Sequence, residues 1–152
     1  MTKWKVKTSE DRQLKAYWDR NKVGGKLYLE VPVGHPSPGG VFPPESRIRY
    51  IDAVRVLRKG SRKREEVQPS RGRTRDILME AFRNAEIEVI EAKKRLNRFS
   101  FGQAVAGADM IKKQYKPRKV TPVIVYEIGD PAMEWVCRKH GVRIWQSPPR
   151  GR

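Results

Sequence analysis

Apolar residues gather into five short blocks along the chain, at 26–33, 47–57, 87–93, 120–127 and 142–145, each bounded by Gly, Pro or charged residues. Their length and their content of Val, Ile, Leu and Tyr predict strands. Between them the apolar period changes to that of a helix. Thr8 or Ser9 caps a first helix, with Glu10 and Asp11 at its positive end, Leu14, Tyr17 and Trp18 as its buried stripe, and Gly24 and Gly25 after it. A second helix starts at Thr74 or a neighbour and buries Ile77, Leu78, Ala81 and Phe82. A third spans 102–115, where Ala104, Val105, Ala108 and Ile111 form a small-residue face suited to lying close on a sheet. The fourth is announced by Asp130 as cap and Pro131 at the first helical position. It stops at Gly141, after a cationic last turn of Arg138, Lys139 and His140.

The order of helices and strands predicts an α/β fold, a central mixed β-sheet flanked by helices, in one domain over 1–145 with a basic tail at 146–152. Pro32 marks the first strand as an edge or a distorted segment. The Gly/Pro-rich stretch 34–44 is an ordered loop, and 94–101 is a polar, basic connection.

Charge changes the picture. The chain has 152 residues with 34 Lys and Arg against 17 Asp and Glu, a formal charge of +17. Such a field concentrates polyanions, and nucleic acid is the commonest of them. The cations are densest at 58–75, where Arg58, Lys59, Arg62, Lys63, Arg64, Arg71, Arg73 and Arg75 face only Glu65 and Glu66. This segment reads as a flexible basic loop that contacts phosphates, the alternative being a solvated charge run. Lys94 and Arg95 extend the same chemistry beyond the third strand. The single Cys137 excludes an internal disulfide and a Cys-rich metal site, and fits a packing role in a reducing compartment. No apolar run is long enough to span a membrane and Met1-Thr2-Lys3-Trp4 does not open a signal peptide, so a cytoplasmic location is expected.

Candidate chemistry lies on two strands. In Ile87-Glu88-Val89-Ile90-Glu91-Ala92-Lys93, alternation puts Glu91 and Lys93 on one side of an otherwise apolar strand. Asp52 stands alone as an acid on the face it shares with Val54 and Val56. If the two strands are neighbours, Asp52 and Glu91 can bind one divalent ion, and hard oxygen donors select Mg²⁺ or Mn²⁺. Each piece has a plainer reading: an isolated Glu-x-Lys is usually a solvated pair, and a lone strand acid usually closes a turn. His35 is either a phosphate contact or an exposed loop histidine, and His140 is a cation at a helix C-terminus. Trp18 and Trp145 fit the core, whereas Trp4 is a candidate surface contact.

With Asp52 in Arg49-Tyr50-Ile51-Asp52-Ala53-Val54, the triplet Glu91-Ala92-Lys93, and Gln103 in Phe101-Gly102-Gln103-Ala104, the chain resembles the PD-(D/E)xK nuclease superfamily. This is the restriction-endonuclease-like fold that includes Holliday-junction resolvases. The resemblance covers 27–145, with Ile51 in place of the proline of the name. It implies that Asp52, Glu91 and the backbone carbonyl of Ala92 hold the metal, that Lys93 is the catalytic lysine, and that Gln103 is a positioning residue. Glu30 would match an extra acid that members such as the resolvases carry on a helix. The expected activity is Mg²⁺-dependent hydrolysis of DNA phosphodiesters, with a homodimer following if both strands are cut. The alternatives are a non-catalytic nucleic-acid-binding or assembly protein that keeps the nuclease-like fold within a larger DNA-processing complex of a phage, transposon or repair kind, and an RNA-binding basic protein.

Overall fold

The computed structural model describes residues 5–21, 24–58, 64–67 and 74–148. The elements follow in the order α1 (Ser9–Arg20), β1 (Gly25–Val33), β2 (Arg49–Leu57), β3 (Arg64–Val67), α2 (Thr74–Phe82), β4 (Glu86–Arg95), α3 (Arg98–Tyr115), β5 (Lys119–Ile128), α4 (Pro131–Lys139) and β6 (Arg143–Gln146). Local chemistry sets the helix starts. Thr8 and Asp11 cap α1 reciprocally, each side chain accepting the other's backbone N–H at 3.1 Å. Asn97 and Ser100 do the same for α3, and Asp130 caps α4 ahead of Pro131.

The strands form one six-stranded mixed sheet in the order β3-β1-β2-β4-β5-β6. β1, β2 and β4 pair antiparallel, β5 and β6 continue parallel to β4, and β3 adds a parallel edge to β1. The α/β reading therefore holds. One face is covered by α1, where Leu14, Tyr17 and Trp18 pack on Leu27, Ala53, Ile90, Ala92, Val123 and Val125. The other face carries α3, which crosses it obliquely: Ala104 packs among Ile124 and Tyr126 of β5, while the Tyr115 hydroxyl donates to the Pro32 carbonyl of β1. α2 contributes Leu78 and Phe82 to the core on that side.

Several boundaries differ from expectation. The basic segment contains a strand, β3, because Arg64 to Val67 pair with β1 and Lys26 meets Glu65 across that pair. β4 runs on to Arg95 and α3 begins at Arg98, since the ladder with β5 persists as far as Arg95 opposite Ile128. Ile77 is exposed, so α2 buries Leu78 and Phe82 instead of the wider stripe. Just past β6, the Ser147 N–H donates to the Tyr126 carbonyl at 2.7 Å. Trp4, Lys59, Arg62, Lys63, Arg71, Arg73 and 149–152 lie outside the described residues.

One polar group lies deep under α1. Glu88 is fully buried, accepts from the Tyr17 hydroxyl at 3.1 Å and from Arg143, and forms an ion pair with the equally buried Arg55, whose Nε lies 2.9 Å away. Removing one partner of such a cluster leaves a buried charge uncompensated. Arg55→Met should cost roughly 3 kcal/mol in urea unfolding. The double variant Arg55→Met, Glu88→Leu should cost less than that single change.

Candidate active site at the opening between two strands

Strict alternation fails at one level of the sheet, in two strands at once. In β1, Leu27 and Leu29 pack under α1 while Tyr28, Val31 and Val33 belong to the opposite core, so the change of face falls at Glu30. Glu30 takes the left-handed conformation, φ 52°, that permits this. In β2, Ala53 packs under α1 while Ile51 and Val54 lie on the α3 side, so the same change falls at Asp52.

The hydrogen-bonded register between β2 and β4 ends at this level. Its last pair is Ala53 with Ile90, although β1 and β2 stay paired as far as Val33 and Arg49. Extending the register places Asp52 opposite Glu91. The Asp52 carboxylate takes over the role of the missing strand partner, accepting the Ala92 N–H at 2.8 Å. In a strand, the N–H and C=O of one residue point to the same side. The Ala92 carbonyl therefore faces the same opening.

Glu91 enters the opening from the α3 side and is 7% exposed. Its Oε1 lies 3.7 Å from where a Cβ on Gly107 would stand, with Ile51 beside it. Gly107 thus keeps α3 close to the carboxylate without crowding it. Lys93, two residues on and half-buried, acts on Glu91 electrostatically but, among the described residues, closes no ion pair with it. Gln103 is one turn of α3 before Gly107, exposed on the same flank. The structure thus brings Asp52, Glu91 and Lys93 together, with Gln103 at the rim.

Comparison with known families, curated proteins and solved structures finds no match to this chain. The arrangement is therefore read from its own chemistry.

Burial, then the charge of Asp52 and a hydrogen bond shared with it, raise the Glu91 carboxyl from 4.5 to about 9. Lys93 pulls in the other direction and Glu10 adds to the rise. Glu10, in the first turn of α1, thus also bears on Glu91, and Glu30 is exposed on β1 where that strand changes face. Glu10 was visible in sequence only as an acid favoured at a helix N-terminus. Its approach to Glu91 depends on how α1 lies along β4.

Among the described residues no cluster of three or more His, Cys, Asp or Glu side chains forms. The donors available to an ion are the Asp52–Glu91 pair and backbone oxygen. This set fits a hard divalent cation, which would also relieve the repulsion between the two carboxylates.

The basic residues singled out in the sequence divide by role. Arg64 is engaged in the fold: its guanidinium donates to the Trp18 carbonyl, lies 4.6 Å from the Trp18 ring centre and approaches Asp19 at 3.7 Å. Arg75 donates to the Gly39 carbonyl. Arg58, Lys94 and Arg95 are exposed. His35, expected exposed or at a phosphate, is partly buried with its Nδ1 2.8 Å from the Gln114 amide nitrogen. The same side chain's oxygen accepts from Gly34 N–H at 2.9 Å. Gly34 has φ 97°, and a Cβ there would meet the Arg47 carbonyl at 2.5 Å, so glycine is needed where β1 turns into the loop.

A pH dependence follows. The folded protein holds a proton on Glu91 that the unfolded chain releases above about 4.5, so this site's contribution to stability is complete below 4.5 and is lost as pH rises toward 9. In metal-free protein, Glu91→Gln should raise the unfolding free energy near neutral pH by on the order of 2 kcal/mol. Below 4.5 it should change almost nothing. Urea unfolding in EDTA at the two pH values measures the difference, and an equal effect at both would contradict the assignment.

Proposed function

We propose that this chain is a divalent-metal-dependent nuclease that hydrolyses DNA phosphodiesters, with a restriction-endonuclease-like fold of the PD-(D/E)xK type. The reading rests on one observation: Asp52 and Glu91 meet where β2 and β4 part, with Asp52 held by the Ala92 N–H at 2.8 Å and Lys93 beside them. Two placements add support. Gln103 lies on the helix that follows the Glu91-Ala92-Lys93 strand, and Glu10 supplies a helix-borne acid near Glu91.

In this mechanism Asp52, Glu91 and the Ala92 carbonyl would hold Mg²⁺ or Mn²⁺. A bound ion supplies positive charge where the phosphoryl group accumulates negative charge. The protein's own part is positional. Asp52 is fixed by its bond to Ala92, Glu91 is buried against Gly107, and Lys93 brings an ammonium to the phosphate and to the water that attacks it. The oxygen of that water bonds to phosphorus as the bond from phosphorus to the leaving oxygen breaks, the water giving up a proton to solvent and the leaving oxygen taking one from solvent, with no covalent enzyme intermediate. The net charge of +17 draws the polyanion to this acidic site.

The test is cleavage of plasmid and oligonucleotide DNA with Mg²⁺. Asp52→Ala, Glu91→Ala and Lys93→Ala should each lower the rate by about 100-fold or more while DNA binding persists. Undiminished cleavage in all three would sink the proposal. A wild-type chain that binds DNA and cuts none would instead support a non-catalytic DNA-binding role.

A further inference from the structure

Two of the elements that form the opening between β2 and β4 carry aromatic side chains that the fold leaves in solvent. Phe99, in the first turn of α3, is 83% exposed, and Tyr50, two residues before Asp52 on β2, is 60% exposed. Neither ring is needed where it stands. The start of α3 is already closed by Asn97 and Ser100, and Tyr50 pairs through its backbone with Pro32 at the sheet's end.

Phe99 shares its helix flank with residues that reach the opening. Phe99, Gln103, Gly107 and Met110 share one flank of α3. Gly107 on that flank approaches Glu91, and Met110 takes Arg49 Nη1 on its sulfur at 3.7 Å and approaches Gly34. The flank thus faces the end of the sheet that carries Asp52. Phe99 stands two turns from Gly107, about 12 Å along the helix axis. On β2, Ile51 lies on the α3 side, so alternation turns Tyr50 toward the side of α1.

Exposed cations surround both rings. Arg47 precedes Tyr50, Lys94 and Arg95 follow Lys93, and Arg98 adjoins Phe99, and none of the four pairs with a carboxylate among the described residues. A protein patch would have to neutralise this charge and cover the rings. A nucleic-acid strand does both, through phosphates that meet the cations and base faces that stack on the aromatics. A continuous duplex offers its phosphates but keeps its base faces stacked inside.

We infer that Tyr50 and Phe99 are base-stacking contacts, and that the preferred substrate is DNA with unpaired nucleotides beside the scissile phosphate. The choice of DNA as the polyanion rests on the nuclease reading, whereas the stacking rests on the two exposed rings and their cations. An unpaired segment passing the opening stacks its bases on the rings and lays its backbone along Arg47, Lys94, Arg95 and Arg98.

The test uses the full chain in EDTA, where hydrolysis does not contribute, and two DNAs of the same sequence. One is fully paired, and the other has an unpaired central segment containing 2-aminopurine. Binding of the wild-type chain should quench 2-aminopurine in the unpaired segment. Phe99→Ala and Tyr50→Ala should each weaken binding to that DNA by about tenfold and change duplex binding by less than about twofold. Phe99→Trp should retain wild-type affinity, and the thermal midpoints of all three variants should stay at the wild-type value. Equal losses on both DNAs, no loss on either, or a binding loss that follows a lower thermal midpoint would overturn the inference. A chain that stacks but does not cut fails only the nuclease reading. One that cuts without depending on Phe99 or Tyr50 fails only this one.

Discussion

The hydrogen bond from the Ala92 N–H to the Asp52 carboxylate is the contact on which the rest of the site depends. A central pair of strands normally satisfies its backbone groups along its whole length, and an opening there would leave buried donors without partners. Asp52 removes that cost for Ala92 by reaching across as a side chain. The two strands can then part while the core beneath them stays closed. The change of face at Glu30 and Asp52 belongs to the same solution, because it turns Ile51 and Val31 back onto the α3 side just where the strands separate.

Glu88 and Glu91 lie three residues apart on β4 and face opposite sides of the sheet, and their surroundings resolve the same problem in opposite ways. Glu88 is buried but met by Arg55, Arg143 and the Tyr17 hydroxyl, so its charge is compensated and it ties α1 and the last strand to the centre. Glu91 is buried next to another carboxylate, with only Lys93 to offset them. A fold that needed only stability would not place two acids together in this way. The contrast separates, within a single strand, an acid met by cations from an acid set beside another carboxylate.

Much of this could be read from the amino-acid pattern. The alternation of helices and strands, the caps at Thr8, Asp130 and Pro131, and the pairing of Glu91 with Lys93 on one side of a strand are local properties, set by residues a few positions apart. What was hidden depends on contacts between distant segments. β3 is only four residues long and charged, so no apolar period marks it, and it exists because β1 offers an edge. Arg64 looked like a free cation until β3 placed it against Trp18. Gln114 carried no signal for its hold on His35, which joins positions 79 residues apart. The influence of Glu10 on Glu91 has the same origin, because it exists only through the packing of α1 against β4.

The charge distribution imposes a final constraint on the site. A net charge of +17 attracts polyanions, yet at the opening the carboxylates of Asp52 and Glu91 would repel a phosphate. Protonation of Glu91 reduces this repulsion only in part, because Asp52 keeps its bond to Ala92. The cations of the rim, Arg47, Lys94, Arg95 and Arg98, can hold the neighbouring phosphates but sit outside the opening. A divalent ion between the carboxylates would reverse the local sign and let the field run continuously from rim to centre. If the chain acts as the proposed nuclease, binding of the strand belongs to the rim and admission of the scissile phosphate belongs to the metal. The two steps therefore differ in what they need: the first responds to salt through the rim's phosphate contacts, and the second to the ion held by Asp52 and Glu91.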